Sequence, residues 1–116
     1  YLDQEDYAKA DPQAYFELAR AVDESVVDAV SIEDAHRHND LSLLDLFGNT
    51  TVIFGVIAIA RSRVETVEEV RERLQAALDH LPAERLVAAP DCGLGHLGRD
   101  LAMRKLQVLS AAARSV

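Results

Sequence analysis

Polar side chains of the types that bind metals follow two of the apolar segments in this sequence. The first group contains Glu33, His36 and His38, and the second contains Asp91 and Cys92. Carboxylate, imidazole and thiolate groups are the ligands that zinc binds in proteins. The residue types therefore point to metal chemistry after these two segments.

Each of these residues also has a purely structural interpretation. A single cysteine such as Cys92 is most often a small buried side chain, and the first group also suits a solvated loop with surface histidines. Gly93 and Gly95 form only a GxG, which is a weak phosphate-binding signal without the longer GxGxxG pattern. The acidic run that begins at Glu65 suits the positive end of a helix dipole. Residue types alone leave both interpretations open.

Composition limits the class of protein. The chain has 116 residues, a net charge of −8 and a pI near 4.8, which disfavours binding to nucleic acid or to anionic membrane surfaces. Its longest apolar run, residues 51–60, is about half of a membrane span. One cysteine cannot form an internal disulfide and suits a reducing compartment. We expect a single domain over residues 1–116, cytoplasmic, without a signal peptide and with neither nucleic acid nor membrane as partner.

Hydrophobic patterning predicts a helix followed by three strand–helix units. The predicted strands are 26–32, 51–59 and 85–89, and the predicted helices are 12–22, 40–47, 66–81 and 99–115. This order favours right-handed βαβ crossovers and a parallel sheet, and a capping box is predicted at Thr66 and Glu69. The last helix is predicted to place one set of apolar residues on one side: Ala102, Leu106, Leu109, Ala113 and Val116.

The polar groups then lie where α/β folds bind ligands, at the carboxyl ends of parallel strands. Three strands cannot close a (β/α)₈ barrel, which needs about 250 residues. The sequence therefore predicts an α/β fold that is either a small open layer or part of a larger barrel.

Three segments resemble motifs of the cobalamin-independent methionine synthase family. Residues 27–33 (VDAVSIE) resemble its D-x-(I/V)-S-I-E strand, and residues 55–70 are similar to its GV-x-D-x-x-S-P-R-V-E-T-x-E-E-V segment. Residues 82–94 resemble its PPERL…PDCGL signature. The resemblance covers residues 15–116 in collinear order.

This resemblance implies a (β/α)₈ TIM barrel of the methionine synthase/uroporphyrinogen decarboxylase type, with these strands as its sixth to eighth. It implies a zinc-dependent methyltransferase that moves a methyl group to a homocysteine-like thiol to make methionine, with this chain as its C-terminal part. The zinc ligands of the family fall on Glu33 and Cys92. Ser31, Asn39 and Asp91 are candidate substrate contacts. Asn39 and Asp91, like His36 and His38, are alternatively candidates for orienting the metal ligands.

The family's other two zinc ligands form a His-x-Cys pair, and no such pair occurs in this sequence. The zinc site is therefore incomplete in this chain unless His36 or His38 contributes, and the isolated chain is expected to be inactive. Ala58 and Ala60 stand where the resemblance expects an aspartate and an acid–base histidine. A folate and a corrinoid methyl donor both stay open.

Two alternatives accompany this hypothesis. In the first, the chain is a catalytically silent partial barrel that acts by forming homo-oligomers or by complementing a missing N-terminal barrel half. In the second, it is a decarboxylase-like relative that needs no zinc. Open strand edges and apolar sheet surface favour the first of these. Molecular mass in solution together with metal content distinguishes them from an enzyme that binds a small thiol substrate.

Overall fold

A computed structural model describes residues 11–116, so the first ten residues of the predicted 1–116 domain lie outside it. The elements in chain order are α1 (Gln13–Asp23), β1 (Ala29–Glu33), a 3₁₀ helix (Leu41–Leu46), β2 (Thr51–Ile57), α2 (Val67–Leu78), a 3₁₀ turn (Ala83–Arg85), β3 (Leu86–Pro90) and α3 (Arg99–Ala113). Within this described part of the chain, no helix is long and apolar enough to cross a membrane.

The three strands form one parallel sheet in the order β1, β2, β3, which confirms the predicted α/β class. Glu33 at the end of β1 is in register with Gly55 of β2, and Gly55 is in register with Ala89 of β3. The carboxyl ends of all three strands consequently meet at one edge of the sheet.

The first strand is shorter than the sequence pattern predicts. It begins at Ala29 rather than at Val26, because pairing with β2 starts only where Ala29 lies opposite Thr51. Val26 is 99% exposed, and the neighbouring Val27 N–H donates to the Ser25 hydroxyl in a turn. The β-branched residues before Ala29 therefore have strand propensity but no partner strand within residues 11–116.

The hydrophobic core lies between one face of the sheet and the helices. Alternate strand residues face this core and join it to side chains of α1, α2 and α3: Val30, Ile32, Val52, Phe54, Leu86 and Ala88. The opposite side, which we call the open sheet face, carries the row Ser31, Ile53 and Val87. Ser31 is exposed and Val87 is 45% exposed, so helices cover only one side of the sheet in residues 11–116.

The last helix packs inward with only part of the side that its sequence predicts. Leu109 and Ala112 are buried, but Leu106 is 41% exposed. Lys105 is completely buried, and its ammonium group contacts Glu65 Oε2 at 2.9 Å and the Arg63 carbonyl at 2.6 Å. This ion pair accounts for a lysine within the inward side of α3.

The predicted capping box at the start of α2 is confirmed. The Glu69 N–H donates to the Thr66 hydroxyl at 3.1 Å, and the Thr66 N–H donates to Glu69 Oε2 at 2.7 Å. The Thr66 N–H, together with the side chain of Arg63, lowers the pKa of Glu69 to about 2. The helix therefore begins where the local sequence predicts it.

A second carboxylate ties α1 to the turn before β2. Asp23 accepts hydrogen bonds from the N–H groups of Gly48, Asn49 and Thr50, at 3.1, 2.8 and 2.8 Å. The N–H groups of Asn49 and Thr50 lower the pKa of Asp23 to about 2. This turn positions the start of the central strand.

Candidate metal-binding site

The two predicted zinc ligands both lie at the carboxyl edge of the sheet. Glu33 is the last residue of β1, and Cys92 follows β3, which ends at Pro90. The Glu33 carboxylate is 42% exposed and lies 3.5 Å from Arg37 Nε, and Cys92 is an exposed free thiol. Both candidate donors are accessible from solvent.

A buried carboxylate joins the loops that carry these donors. Asp91 Oδ1 accepts hydrogen bonds from the N–H groups of Asp34 and Ala35, each at 3.0 Å, and Oδ2 accepts one from the His36 N–H at 2.9 Å. Burial raises the pKa of Asp91, while these three N–H groups and the His36 side chain act in the opposite direction. We call this arrangement the Asp91 link.

The Asp91 link acts directly beside both candidate donors. Asp91 immediately precedes Cys92 in the chain, and Asp34 immediately follows Glu33. The hydrogen bonds of Asp91 thus connect the backbone next to the thiol with the backbone next to the carboxylate, across the central strand.

Gly55 makes the Asp91 link possible. A Cβ atom at this position would lie 2.7 Å from Asp91 Cα and 3.0 Å from the Ile32 carbonyl oxygen, and it would also collide with Asp91 Oδ1. Only a residue without a side chain leaves room for the carboxylate to cross β2. A glycine inside an apolar strand is the sequence signal for such a close approach.

His36 connects the same link to the loop after β2. Its Nδ1 lies 2.6 Å from Asp91 Oδ2, and its Nε2 accepts a hydrogen bond from the Ala60 N–H at 3.2 Å. Because Nε2 is an acceptor, the ring hydrogen lies on Nδ1. Both ring nitrogens have hydrogen-bond partners, and the metal role of His36 stays a prediction. His38 is exposed, with a φ of 51°, and its metal role stays a prediction.

Asp34 and Arg73 fix the shape of the loop after β1. The buried Asp34 carboxylate accepts from Arg73 Nε at 2.6 Å and from Arg73 Nη2 at 2.7 Å. The Asn39 side chain donates to the Glu33 carbonyl at 2.6 Å, so it also helps to hold this loop. The role of Arg73 is not visible in the sequence, because a lysine or arginine on a predicted helix usually faces solvent.

The predicted substrate contacts occupy different environments. Asp91 is buried in the link, Asn39 holds the first loop, and Ser31 is exposed on the open sheet face. Their contact with substrate stays a prediction.

A cleft of about 240 Å³ lies on the helix side of the same edge. Its charged lining includes Asp34, Arg63, Glu69 and Arg73, and these groups pair with one another as Asp34–Arg73 and Arg63–Glu69. Neither Glu33 nor Cys92 lines this cleft, so it is separate from the candidate donors.

The donor chemistry suits zinc, but the number of donors is too small for a complete site. Thiolate and carboxylate are both zinc ligands, and a structural or catalytic zinc takes at least three from protein. Within residues 11–116, no three His, Cys, Asp or Glu side chains are grouped to hold one ion. Glu33 and Cys92 would supply two ligands.

The sequence also matches a known protein family. The sequence model of the family described as "Cobalamin-independent synthase, Catalytic domain" matches residues 13–115, which is most of the chain. The chain belongs to this family. The family assignment confirms the resemblance seen in the sequence motifs.

Individual members of the cobalamin-independent synthase family agree. The chain is 36% identical over 100 residues to a methionine synthase of Pyrococcus furiosus, covering 85% of this chain and 30% of the relative. It is 38% identical over 102 residues to the 5-methyltetrahydropteroyltriglutamate–homocysteine methyltransferase of Mycobacterium tuberculosis, covering 86% of this chain and 13% of the relative. The chain thus spans less than a third of the length of these relatives.

A solved member of the family shares the fold. The B12-independent methionine synthase of a Shewanella species, solved in complex with selenomethionine, superposes with a TM-score of 0.83 at 33% identity. The match covers 87% of this chain and 30% of that protein. The three parallel strands and their helices therefore have the architecture of a partial (β/α)₈ barrel.

Proposed function

We propose that the protein carrying this segment transfers a methyl group to a homocysteine-like thiol to make methionine. Glu33 and Cys92 would supply two ligands of its zinc ion. Membership in the cobalamin-independent synthase family supports methyl transfer. The observation that carries the proposal for this chain is the Asp91 link, which joins the backbone beside Glu33 to the backbone beside Cys92.

The two side chains have distinct parts in this proposal. Cys92 offers a sulfur donor and Glu33 an oxygen donor, and both are accessible. When bound, zinc stabilises the deprotonated form of a substrate thiol near neutral pH. The remaining ligands would come from outside the described residues, since the sequence has no His-x-Cys pair. The open sheet face, on the same side as Ser31, would then form part of the barrel interior.

Replacing either donor tests the proposal in the complete protein. We expect Cys92→Ser and Glu33→Gln each to lower zinc content below one equivalent and to lower methionine formation at least about 100-fold, because a lost ligand should cost as much as or more than a lost outer-shell partner. Assays with methyl-tetrahydrofolate and with methylcobalamin would distinguish a folate from a corrinoid methyl donor.

The exposed Glu84 provides a matched control. Glu84→Gln removes the same charge and should leave both zinc content and rate unchanged. Full zinc content and an unaltered rate in both Cys92→Ser and Glu33→Gln would contradict the proposal.

The open sheet face supports a second candidate function, assembly without catalysis. Ile53 is only partly buried and Val87 is 45% exposed on this face, where a closed barrel would cover them. If this surface pairs with a second copy, the purified protein should elute above a monomer mass in size-exclusion chromatography with light scattering.

A charge on the open sheet face tests this assembly. Val87→Asp should shift the protein toward monomer, because a carboxylate is costly to bury in an apolar interface. Val26→Asp, at a residue that is 99% exposed, should leave the mass unchanged. A wild-type monomer containing stoichiometric zinc would rule out this second function.

A further inference from the structure

The carboxylate of Asp91 accepts hydrogen bonds from the backbone of a different loop. All three of its N–H donors, those of Asp34, Ala35 and His36, belong to the loop after β1, which is 55 to 57 residues away in sequence. Asp91 is only 6% exposed. Burying a carboxylate is unfavourable unless hydrogen bonds replace its hydration. The N–H groups of the first loop therefore stabilise the buried carboxylate, and the carboxylate in turn fixes the loop.

The link leaves little freedom in the positions of its neighbours. Three consecutive N–H groups fix the orientation of the first loop relative to the carboxylate, and the side chain of His36 adds a fourth contact at 2.6 Å. The short Asp91 side chain transmits this orientation to the backbone that continues into Cys92. Gly55 lies against Asp91 so closely that a Cβ atom at this position would lie 2.7 Å from Asp91 Cα.

We infer that Asp91 is a positioning residue, whose carboxylate sets the separation and orientation of Glu33 and Cys92 before a metal ion binds. This inference rests on the proposed function, since it assigns to Asp91 the preorganisation of those two donors. Asp91 itself is not a ligand in this scheme, because both carboxylate oxygens already accept hydrogen bonds from the first loop.

Asp91→Asn is the sharpest test of this inference. The amide has nearly the same shape, but its NH₂ group cannot accept a hydrogen bond. If the NH₂ group replaces Oδ1, the bonds from the Asp34 and Ala35 N–H groups are lost; if it replaces Oδ2, the bond from the His36 N–H group is lost. The Asp34 and Ala35 N–H groups also donate to the Gly55 carbonyl oxygen, so we expect the substitution to loosen the first loop beside Glu33 rather than to release it. Asp100→Asn is the control, because Asp100 is exposed in the first turn of α3.

Cobalt(II) is the probe, titrated into the metal-free complete protein at a temperature where every variant is folded by circular dichroism. We expect Asp91→Asn to weaken cobalt binding about 10- to 100-fold, the range found for partners that orient ligands, and to weaken the sulfur-to-cobalt absorption band. Asp100→Asn should match the unaltered protein. Unchanged affinity and absorption in Asp91→Asn would overturn the inference, because a purely structural residue would change stability alone.

The same titration of Cys92→Ser separates this inference from the proposed function. If Cys92→Ser weakens both the band and cobalt binding while Asp91→Asn leaves both unchanged, only the positioning role fails. If Cys92→Ser also binds cobalt normally, the proposed zinc site fails, and the positioning role fails with it.

Hydrogen exchange in the unaltered metal-free protein tests the inference without a variant. The His36 amide, which donates to Asp91 Oδ2, should exchange more slowly than that of the exposed His96. The Asp34 and Ala35 amides also donate to the Gly55 carbonyl oxygen, so their exchange does not report Asp91 alone. Equally fast exchange of the His36 and His96 amides would show that the link is not formed before metal binding and would overturn the inference even if Asp91→Asn failed to fold.

Discussion

Gly55→Ala is expected to lower the free energy of unfolding by about 3 kcal/mol, at the upper end of the usual cost of overpacking a core. The added methyl group would lie 2.7 Å from Asp91 Cα, so backbone must move rather than the end of a flexible side chain. The added methyl group would also lie 3.0 Å from the Ile32 carbonyl oxygen, so it cannot move away from Asp91 toward β1 without a second close contact. The substitution therefore pushes β3 away from β1 at the candidate site.

Urea unfolding at neutral pH measures this effect. Gly95→Ala is the matched control, since a Cβ atom at Gly95 meets no atom within 4 Å and Gly95 has no positive φ. The control should change stability by about 0.5 kcal/mol or less, as substitutions remote from packed sites do. Equal stabilities for the two variants would contradict the close approach of Asp91 to the central strand.

Lys105→Met is expected to lower the free energy of unfolding by about 3–5 kcal/mol, the usual cost of removing one partner from a buried ion pair. Lys105 is fully buried and the Glu65 side chain is 10% exposed, so the carboxylate would lose its counter-ion with little access to water. The Arg63 carbonyl would lose its donor as well. Methionine fills much of the same volume, so the effect reports charge rather than a cavity.

A double-mutant cycle in urea unfolding measures the coupling of this pair. Glu65→Gln retains an oxygen that can accept the Ala58 N–H, and the double variant Lys105→Met with Glu65→Gln should recover part of the lost stability. Arg104→Met, on an exposed position of the same helix, should be nearly neutral. Additive losses in the double variant would contradict the ion pair.

Local patterns in the sequence predicted the order of the elements and the edge of the sheet that carries the candidate donors. Apolar runs of strand length alternate with helical stripes, and the capping box at Thr66 and Glu69 defines a helix start from four consecutive residues. The ends of β1 were less predictable, because Val26 and Val27 have strand propensity but no partner strand. Such information is local, so the sequence displays it directly.

The roles of several buried polar residues depended on partners distant in sequence. Asp91 was predicted to orient ligands or to contact substrate, and only the folded chain brings it to the N–H group of Asp34, 57 residues away. His36, a candidate metal ligand, has hydrogen-bond partners at both ring nitrogens that its neighbours in the chain do not supply. Lys105 is buried on the last helix, where it pairs with Glu65, 40 residues earlier.

The sequence by itself determined the alternation of strands and helices, the family motifs and the placement of Glu33 and Cys92 after parallel strands. The tertiary structure decided which polar groups are buried, which of them pair, and how Gly55 admits a carboxylate across the central strand. The physical reason is that a charged group is stable in the interior only with a specific partner. That partner is chosen by the packing of the whole sheet and its helices, not by neighbours in the chain.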